Sequence, residues 1–333
     1  MSDSAGEQCH GHIACGTLTV GNLSRALAGY QDLLGQEVVE TGRLSAQQTA
    51  AWGLNGVSGA PFAIVQASNS PRTALRLIEV PVRPHTPAVS LGWNAFEISV
   101  QDVFELAQRL AGSAFQIVGP PKHVDGFTSF VPMQVFGPDG EVLFLNQVFH
   151  SDEDTDLPIA ESWVGELFIV VLASQDRQRS ANQYAHALGM DVGATHKLRY
   201  SLINRAFGFD SETLQTITMV QKSRRPFLQT DQYPRSAEQR ARPADALPMG
   251  NAMVSVIVDS IEQASSGFTA LGTTQRLPGV LYRNRRVQLC RGLCRRTFGV
   301  NRAQLSLVDM AFCKEYRQRW YLVYSARRLS KRG

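Results

Sequence analysis

Long hydrophobic runs are missing from this 333-residue sequence. No stretch approaches the roughly 20 apolar residues that a bilayer-spanning helix needs. The first residues, MSDSAGEQCHGH, also lack the basic and apolar regions of a signal peptide. We therefore predict a cytoplasmic protein that has no membrane partner.

Cysteines at metal-binding or redox spacing are absent as well. The five cysteines are Cys9, Cys15, Cys290, Cys294 and Cys313. None of them forms a CxxC pair, and none has a histidine partner at zinc-finger distance. We expect free thiols in a reducing compartment.

An excess of basic charge is missing from most of the chain, although the net charge is +4. From Arg283 onward there are 14 Lys/Arg and two acidic residues, which leaves 19 basic and 27 acidic residues before it, a net charge of −8. An acidic body gives no reason to expect a nucleic-acid partner.

A repeat of about 155 residues runs through the chain. The segments TVGNLSRALAGYQDLLG and ASQDRQRSANQYAHALG align, and so do AAWGLNGVSGAPFAIVQ and RAFGFDSETLQTITMVQ. Three pairs of positions mark the repeat in order: Tyr30 and Tyr184, Trp52 and Phe207, and Asp102 and Asp259. Three ordered matches at nearly one offset indicate a duplication, and the length fits two domains.

Each half contains the pattern of a strand, a helix and further strands twice. Apolar residues between Leu23 and Leu34 have helical spacing, and Gly35 suits the C-terminal cap of that helix. The segment VFGPDGEVLFL has the proline, aspartate and glycine of a tight turn between two strands. The sequence therefore predicts an α+β fold of four βαβββ modules.

The motifs VGNLSRALAGYQDLLG and VFGPDGEVLFL resemble the first helix and the final hairpin of the vicinal oxygen chelate superfamily. This superfamily includes glyoxalases, bleomycin-resistance proteins and extradiol dioxygenases. The resemblance extends from about residue 10 to residue 293. It implies two glyoxalase-like half-barrel domains, residues 1–148 and 164–293, which are joined by an acidic linker at 149–163.

The last 40 residues, 294–333, depart from the family pattern. Where a glycine turn and an alternating apolar strand are expected, the chain reads LCRRTFGVNRAQLS. One codon choice for this stretch, shifted by one base, encodes Ala-Gly-Glu-Leu-Leu-Glu-Leu-Ile, which resembles the missing hairpin. We hypothesise a frameshift near Leu293 or Cys294, which would leave the last module incomplete and place a Glu where Gly299 now stands.

Metal-dependent members of the superfamily take ligands from the first strand of a module, usually His, and from the last strand, usually Glu. Counting from the Asp or Asn that ends each first strand, the four first-strand positions are Cys15, Ala95, Ile169 and Ala252. The corresponding last-strand positions in the first half are Arg76 and Phe144. A divalent metal needs at least three converging donors, so we predict no metal and no cofactor.

The remaining polar residues of the first half are predicted to line one apolar cup. Because strand residues alternate between faces, Glu97 and Ser99 should share a face with Ala95, and Thr17 should share one with Cys15. The other ligand-binding candidates on this cup are Arg76, Gln134, Phe144 and Asn146.

Two residues are the catalytic candidates. Burial would make Glu97 a general base, and His123, in the loop PPKHVDGF, is a candidate proton carrier. The alternatives are a solvated or salt-bridged Glu97, an exposed strand Arg76 and an exposed loop His123.

The predicted function is that of a protein which binds or transforms a small hydrophobic, aromatic or carbonyl-bearing molecule. The leading hypothesis is a metal-independent lyase or isomerase with Glu97 as base. A non-catalytic sequestering protein and a metal-dependent extradiol-type dioxygenase are the alternatives. A homodimer is compatible with this prediction.

Overall fold

The computed structural model describes residues 11–68, 70–153, 155–293 and 307–314. Four stretches of the chain, here called modules, each begin with a long strand that leads into a helix. Within the described ranges, no helix has the length and apolar character needed to cross a membrane.

The first two modules occupy the N-terminal half. The first module contains β1 (Ile13–Val20), α1 (Leu23–Ala28) with a π-helical turn (Gly29–Leu33), β2 (Gln36–Arg43), α2 (Ala46–Trp52) with a 3-10 turn (Asn55–Val57), β3 (Pro61–Ala67) and β4 (Ser70–Glu79). The second module contains β5 (Ser90–Val100), α3 (Val103–Leu110), β6 (Gln116–Gly119), β7 (Phe130–Phe136) and β8 (Val142–Val148).

The other two modules follow the acidic segment. The third contains β9 (Val164–Ser174), α4 (Arg177–Leu188), β10 (Asp191–Arg199), α5 (Ser201–Phe207), β11 (Leu214–Lys222) and β12 (Arg225–Gln232), and a short β13 (Glu238–Gln239) follows it. The fourth contains β14 (Gly250–Val258), α6 (Ile261–Ser265), β15 (Thr269–Ala270), β16 (Gln275–Leu277), α7 (Gly279–Tyr282), β17 (Arg285–Leu293) and β18 (Leu307–Lys314).

A polar cap starts the helix after each first strand. The side chains of Asn22, Asp102 and Asp176 accept hydrogen bonds from backbone N–H groups of α1, α3 and α4. In the fourth module the cap is Ser260 rather than the neighbouring aspartate. The first-strand position counted from this cap is therefore Met253, and the expected position, Ala252, is wrong by one residue.

The strands of the described ranges form two nine-stranded sheets. The first sheet has the order β15-β17-β18-β14-β1-β4-β3-β2, and β16 pairs with β17. The second has the order β10-β11-β12-β9-β5-β8-β7-β6, and β13 pairs with β5. The mixed α+β architecture with large sheets is thus confirmed.

Antiparallel pairs of first strands form the middle of both sheets. Strand β1 pairs with β14, and β5 pairs with β9. In every module the last strand then lies parallel to the first, as β4 does beside β1 and β8 beside β5. The first module therefore shares a sheet with the fourth, and the second shares one with the third.

This pairing differs from the expectation that both modules of the N-terminal half line one cup. Arg76 lies in the first sheet opposite Thr17, whereas Glu97 lies in the second sheet opposite Phe144. The physical reason is that a first strand can pair with any other first strand of the same length and alternation. Local sequence predicts the strand but does not select its partner.

Strand β18 takes the last-strand place of the fourth module, parallel to β14 and antiparallel to β17. The expectation of an incomplete last module therefore does not hold for Leu307–Lys314. The frameshift hypothesis concerns residues 294–333, of which 294–306, with Gly299, and 315–333 lie outside the described residues.

Candidate functional site

A cavity of about 440 Å³ lies against the second sheet, between the second and third modules. Its polar floor includes Glu97, Asn146 and Gln229. Most of its walls are apolar, with contributions from both modules: Phe130, Phe144, Phe168, Ile169, Ile217 and Met219. A largely apolar pocket with a few polar groups is typical of small-molecule sites.

Glu97 is the central ionisable group of the floor. Its side chain is 8% exposed, and its Oε2 accepts a hydrogen bond of 2.8 Å from Asn146 Nδ2. Burial raises the pKa of Glu97 to about 7, although the hydrogen bond from Asn146 opposes this shift. A carboxyl group with such a pKa can accept and return a proton near neutral pH.

Four further residues from the predicted set line the same cavity as Glu97. Gln134, Phe144 and Asn146 come from the hairpin of β7 and β8, and His123 comes from the preceding loop. The ring of Phe144 packs edge-on against Tyr200, with centroids 6.0 Å apart. His123 is exposed at the mouth rather than placed on the floor beside the carboxylate.

The other predicted ligand-binding residues do not line this cavity. Ser99 is fully buried and lies against Gly165 of β9, where a methyl group on the glycine would be 2.5 Å from Ser99 Oγ. Cys15, Thr17 and Arg76 belong to the first sheet. The expected single cup is therefore divided between two sheets.

Arg76 is 1% exposed and is held by a polar and aromatic network in the first sheet. Its Nη2 and Nε donate to Thr17 Oγ1 at 2.8 and 3.2 Å, and its Nη1 donates to the hydroxyl of Tyr282 at 2.9 Å. The guanidinium carbon lies 4.5 Å from the ring centroid of Trp52. Burial raises the pKa of Cys15 to about 11, so this thiol stays protonated near neutral pH.

Three residues that the sequence reasoning missed lie on or behind the floor: Tyr200, Gln229 and Asp231. Gln229 Nε2 donates to Asp231 Oδ1 at 2.8 Å. Tyr200 is buried next to this pair, and the Asp231 carboxyl contributes to raising the pKa of its hydroxyl. Gln229 pairs with Val171 on β9 as Phe144 pairs with Glu97 on β5. Extending the last-strand count to the third module would have found Gln229.

Asp231 and Glu97 are two buried carboxyl groups within electrostatic range of one another. Burial, together with the smaller effect of the nearby Glu97, raises the pKa of Asp231 to about 8, while the hydrogen bond from Gln229 opposes the shift. Two such groups do not both ionise easily in a region of low dielectric constant. Near neutral pH the pair therefore holds at most one negative charge, and Glu97 is the member that lines the cavity.

The metal-ligand positions of the family do not carry a suitable donor set. In the second sheet they are occupied by Ala95, Phe144, Ile169 and Gln229. In the first sheet they are occupied by Cys15, Arg76, Met253 and Ala311. Among the residues that the structure describes, no group of three His, Cys, Asp or Glu side chains could hold a metal ion. The residues present do not fit the metal of the family.

The mouth of the cavity is bordered by the loop between β6 and β7 and by the end of β10. An ion pair joins them, because Arg199 Nη1 lies 2.5 Å from Asp125 Oδ2. Arg199 Nε also lies 2.7 Å from Glu212 Oε2. The rings of Phe127 and His196 pack edge-on at 5.2 Å. The Arg199–Asp125 ion pair and the Phe127–His196 contact thus connect the second and third modules across the opening.

Comparison with known proteins confirms the resemblance seen in the sequence. Residues 10–143 match the model of the Glyoxalase/Bleomycin resistance protein/Dioxygenase superfamily. Glyoxalase I from Zea mays has a similar structure, with a TM-score of 0.56 at 17% identity over 91% of this chain and 92% of that one. A Bacillus subtilis protein provisionally described as a dioxygenase gives 0.55 at 12% identity over 92% and 86%.

These two identities are low, so the structural likeness shows a shared fold and leaves activity open. The comparison with curated proteins finds no match.

Proposed function

We propose that this chain, whose residues 10–143 belong to the Glyoxalase/Bleomycin resistance protein/Dioxygenase superfamily, binds a small hydrophobic carbonyl compound and moves a proton on it. The observation that carries the proposal is the buried Glu97, which faces the cavity and has a pKa raised to about 7. In this proposal each sheet is a half-barrel, and the reaction takes place in the second one.

The proposed reaction is a proton transfer next to a carbonyl group. The Glu97 carboxylate removes a proton from the carbon beside the carbonyl, and the C–H electron pair moves into the resulting enolate. Where a carbon–carbon double bond of the substrate is conjugated with the enolate, the protonated Glu97 then returns the proton to the far carbon of that double bond, which gives an isomerisation. In a lyase the electron pair of the enolate instead expels a leaving group, which takes the proton.

Three features support this role. The apolar walls keep the carboxylate poorly solvated, which increases its basicity. The hydrogen bond from Asn146 holds one carboxylate oxygen and leaves the other for the ligand. The buried Asp231 carboxyl opposes a second ionisation beside Glu97, so the floor carries at most one negative charge near neutral pH.

Hydrogen–deuterium exchange tests the proposal without knowledge of the natural substrate. The α-protons of propiophenone, a small aromatic ketone, are followed by NMR in deuterated buffer. Wild-type protein should accelerate their exchange. Glu97→Gln should slow the catalysed exchange by at least about 100-fold, while the dissociation constant of propiophenone changes little because the side chain keeps its shape.

Glu141→Gln is the matched control for this experiment. Glu141 is also fully buried, and its pKa is raised to about 7 as well. Its carboxyl group, however, accepts a hydrogen bond from the hydroxyl of Tyr30 and does not line the cavity. This variant should exchange propiophenone at the wild-type rate. Equal exchange by Glu97→Gln and wild type would contradict the assignment of the base.

A sequestering protein is the second candidate. The apolar walls favour it, because they would retain a hydrophobic molecule without any chemistry. Under this alternative, wild type and Glu97→Gln bind propiophenone equally well and neither accelerates exchange. For the extradiol-type dioxygenase the described donor set offers no support, and stoichiometric iron or manganese in purified protein would revive that hypothesis.

A further inference from the structure

Two lysines from different modules line the mouth of the cavity. Lys122 lies in the loop after β6 of the second module, and Lys197 lies in β10 of the third. Both side chains are exposed, and both line the same opening as Arg199. The cations therefore converge on the opening from both sides of the module boundary.

The charges at this opening are unevenly neutralised. Asp125 and Glu212 are both engaged by Arg199, at 2.5 and 2.7 Å. Lys122 and Lys197, in contrast, form no ion pair with any residue that the structure describes. The mouth therefore has two ammonium groups that remain available to a bound molecule, and the carboxyl groups of Asp125 and Asp152 line the same cavity.

The lack of an ion-pair partner among the described residues distinguishes these two lysines from Arg199. The formal charges of the side chains that line the cavity balance, since Lys122, Lys197 and Arg199 stand against Glu97, Asp125 and Asp152. Because Lys122 and Lys197 have no carboxylate partner among the described residues, both can donate to an anionic ligand at the opening without the loss of an existing ion pair. Deeper in the cavity, the Glu97 carboxylate repels a second negative charge.

We propose that the ligand is an organic monoanion, with its carboxylate at the mouth between Lys122 and Lys197 and its apolar body in the cavity. This inference rests on the proposed function, because it takes the cavity floor at Glu97 as the reacting end. The apolar walls and the inner carboxylate then define one orientation, in which the carboxylate group stays outside and the carbon that loses its proton lies inside.

A pair of probes of matched shape tests the charge preference. Benzoylformate and 1-phenyl-1,2-propanedione share the phenyl ring and the inner ketone, and they differ in a carboxylate versus a neutral acetyl group. Wild-type protein should bind benzoylformate more tightly in isothermal titration calorimetry, and raised salt should weaken that binding. The double variant Lys122→Gln, Lys197→Gln should lose about three- to tenfold of its affinity for benzoylformate and bind the dione unchanged.

Arg276→Gln is the control for the loss of positive charge. Arg276 is exposed in β16 of the other sheet and does not line the cavity, so this variant should keep the preference for benzoylformate. Equal affinity of wild type for the two probes would overturn the inference. An unchanged preference in the double variant would do so too, and so would the absence of benzoylformate binding.

The failure of this inference is distinguishable from the failure of the proposed function. Benzoylformate has no proton on the carbon next to its ketone, so its binding involves no proton transfer, and the difference between its affinity and that of the dione reports on charge. If propiophenone exchange does not depend on Glu97 while the lysines still select benzoylformate, the base assignment fails and the anion site stands. The reverse pattern removes the anion site and leaves the base in place.

Discussion

Replacement of Glu97 by glutamine should change how the stability of this protein depends on pH. Burial raises the pKa of Glu97 from 4.5 to about 7 in the folded chain. The folded state therefore holds this proton more tightly than the unfolded state does. The stability contributed by the protonated carboxyl is fully present below pH 4.5, and it is lost as the pH rises to about 7.

The size of the effect follows from the shift. Each pKa unit corresponds to 1.36 kcal/mol, so a shift from 4.5 to about 7 corresponds to a loss of about 3 kcal/mol between pH 4 and pH 8. Glutamine has no proton to lose, and its side-chain oxygen can still accept the hydrogen bond from Asn146. The variant should therefore gain about 3 kcal/mol relative to wild type over this pH range.

Urea unfolding measures this difference. The fluorescence of Trp52 and Trp93, both buried, should report the transition at each pH between 4 and 8. Glu37→Gln, at an exposed position in β2, serves as the control and should track wild type at every pH. A stability difference between Glu97→Gln and wild type that stays constant from pH 4 to pH 8 would refute the burial argument.

Two further predictions concern the first sheet. Arg76→Lys should destabilise the protein by about 2 kcal/mol in urea unfolding. An ammonium group cannot replace the hydrogen bonds of the guanidinium group to Thr17 and Tyr282 or its stacking on Trp52. Unchanged stability would contradict the proposed network. The thiol of Cys15 is buried and stays protonated, so iodoacetamide should modify it at least about 100-fold less in native than in urea-unfolded protein. Peptide mapping measures this difference. Rapid modification in the native state would count against the burial of Cys15.

The alternation along individual strands was sufficient to predict part of the site. It placed Glu97 on the cavity face of β5, and it placed Phe144 and Asn146 together on β8. These predictions hold because side chains alternate along a strand with a period of two, which is a local property. The tight turn at Gly137–Gly140 also predicted the register of the hairpin, because such a turn aligns the two strands that it joins.

The set of residues that line the cavity could not be predicted in the same way. Arg76 and Thr17 were expected beside Glu97, but they lie in the other sheet, and Ser99 is enclosed against Gly165. Gln229 lies on the floor and Asp231 lies behind it, and both come from β12, more than 80 residues further along the chain than β8. Their positions depend on which first strands pair, and four similar strands permit several pairings.

The sequence by itself therefore determined the four modules, the resemblance to the vicinal oxygen chelate superfamily and the side chains that each strand presents to one face. These are consequences of local periodicity, capping and turn chemistry. Only the tertiary structure decided that the second and third modules meet, because backbone hydrogen bonds between strands do not distinguish one partner from another. That pairing buries Glu97 near Asp231. Because of this burial, the pKa values of both carboxyl groups are raised, and the proposed chemistry depends on the pKa of Glu97.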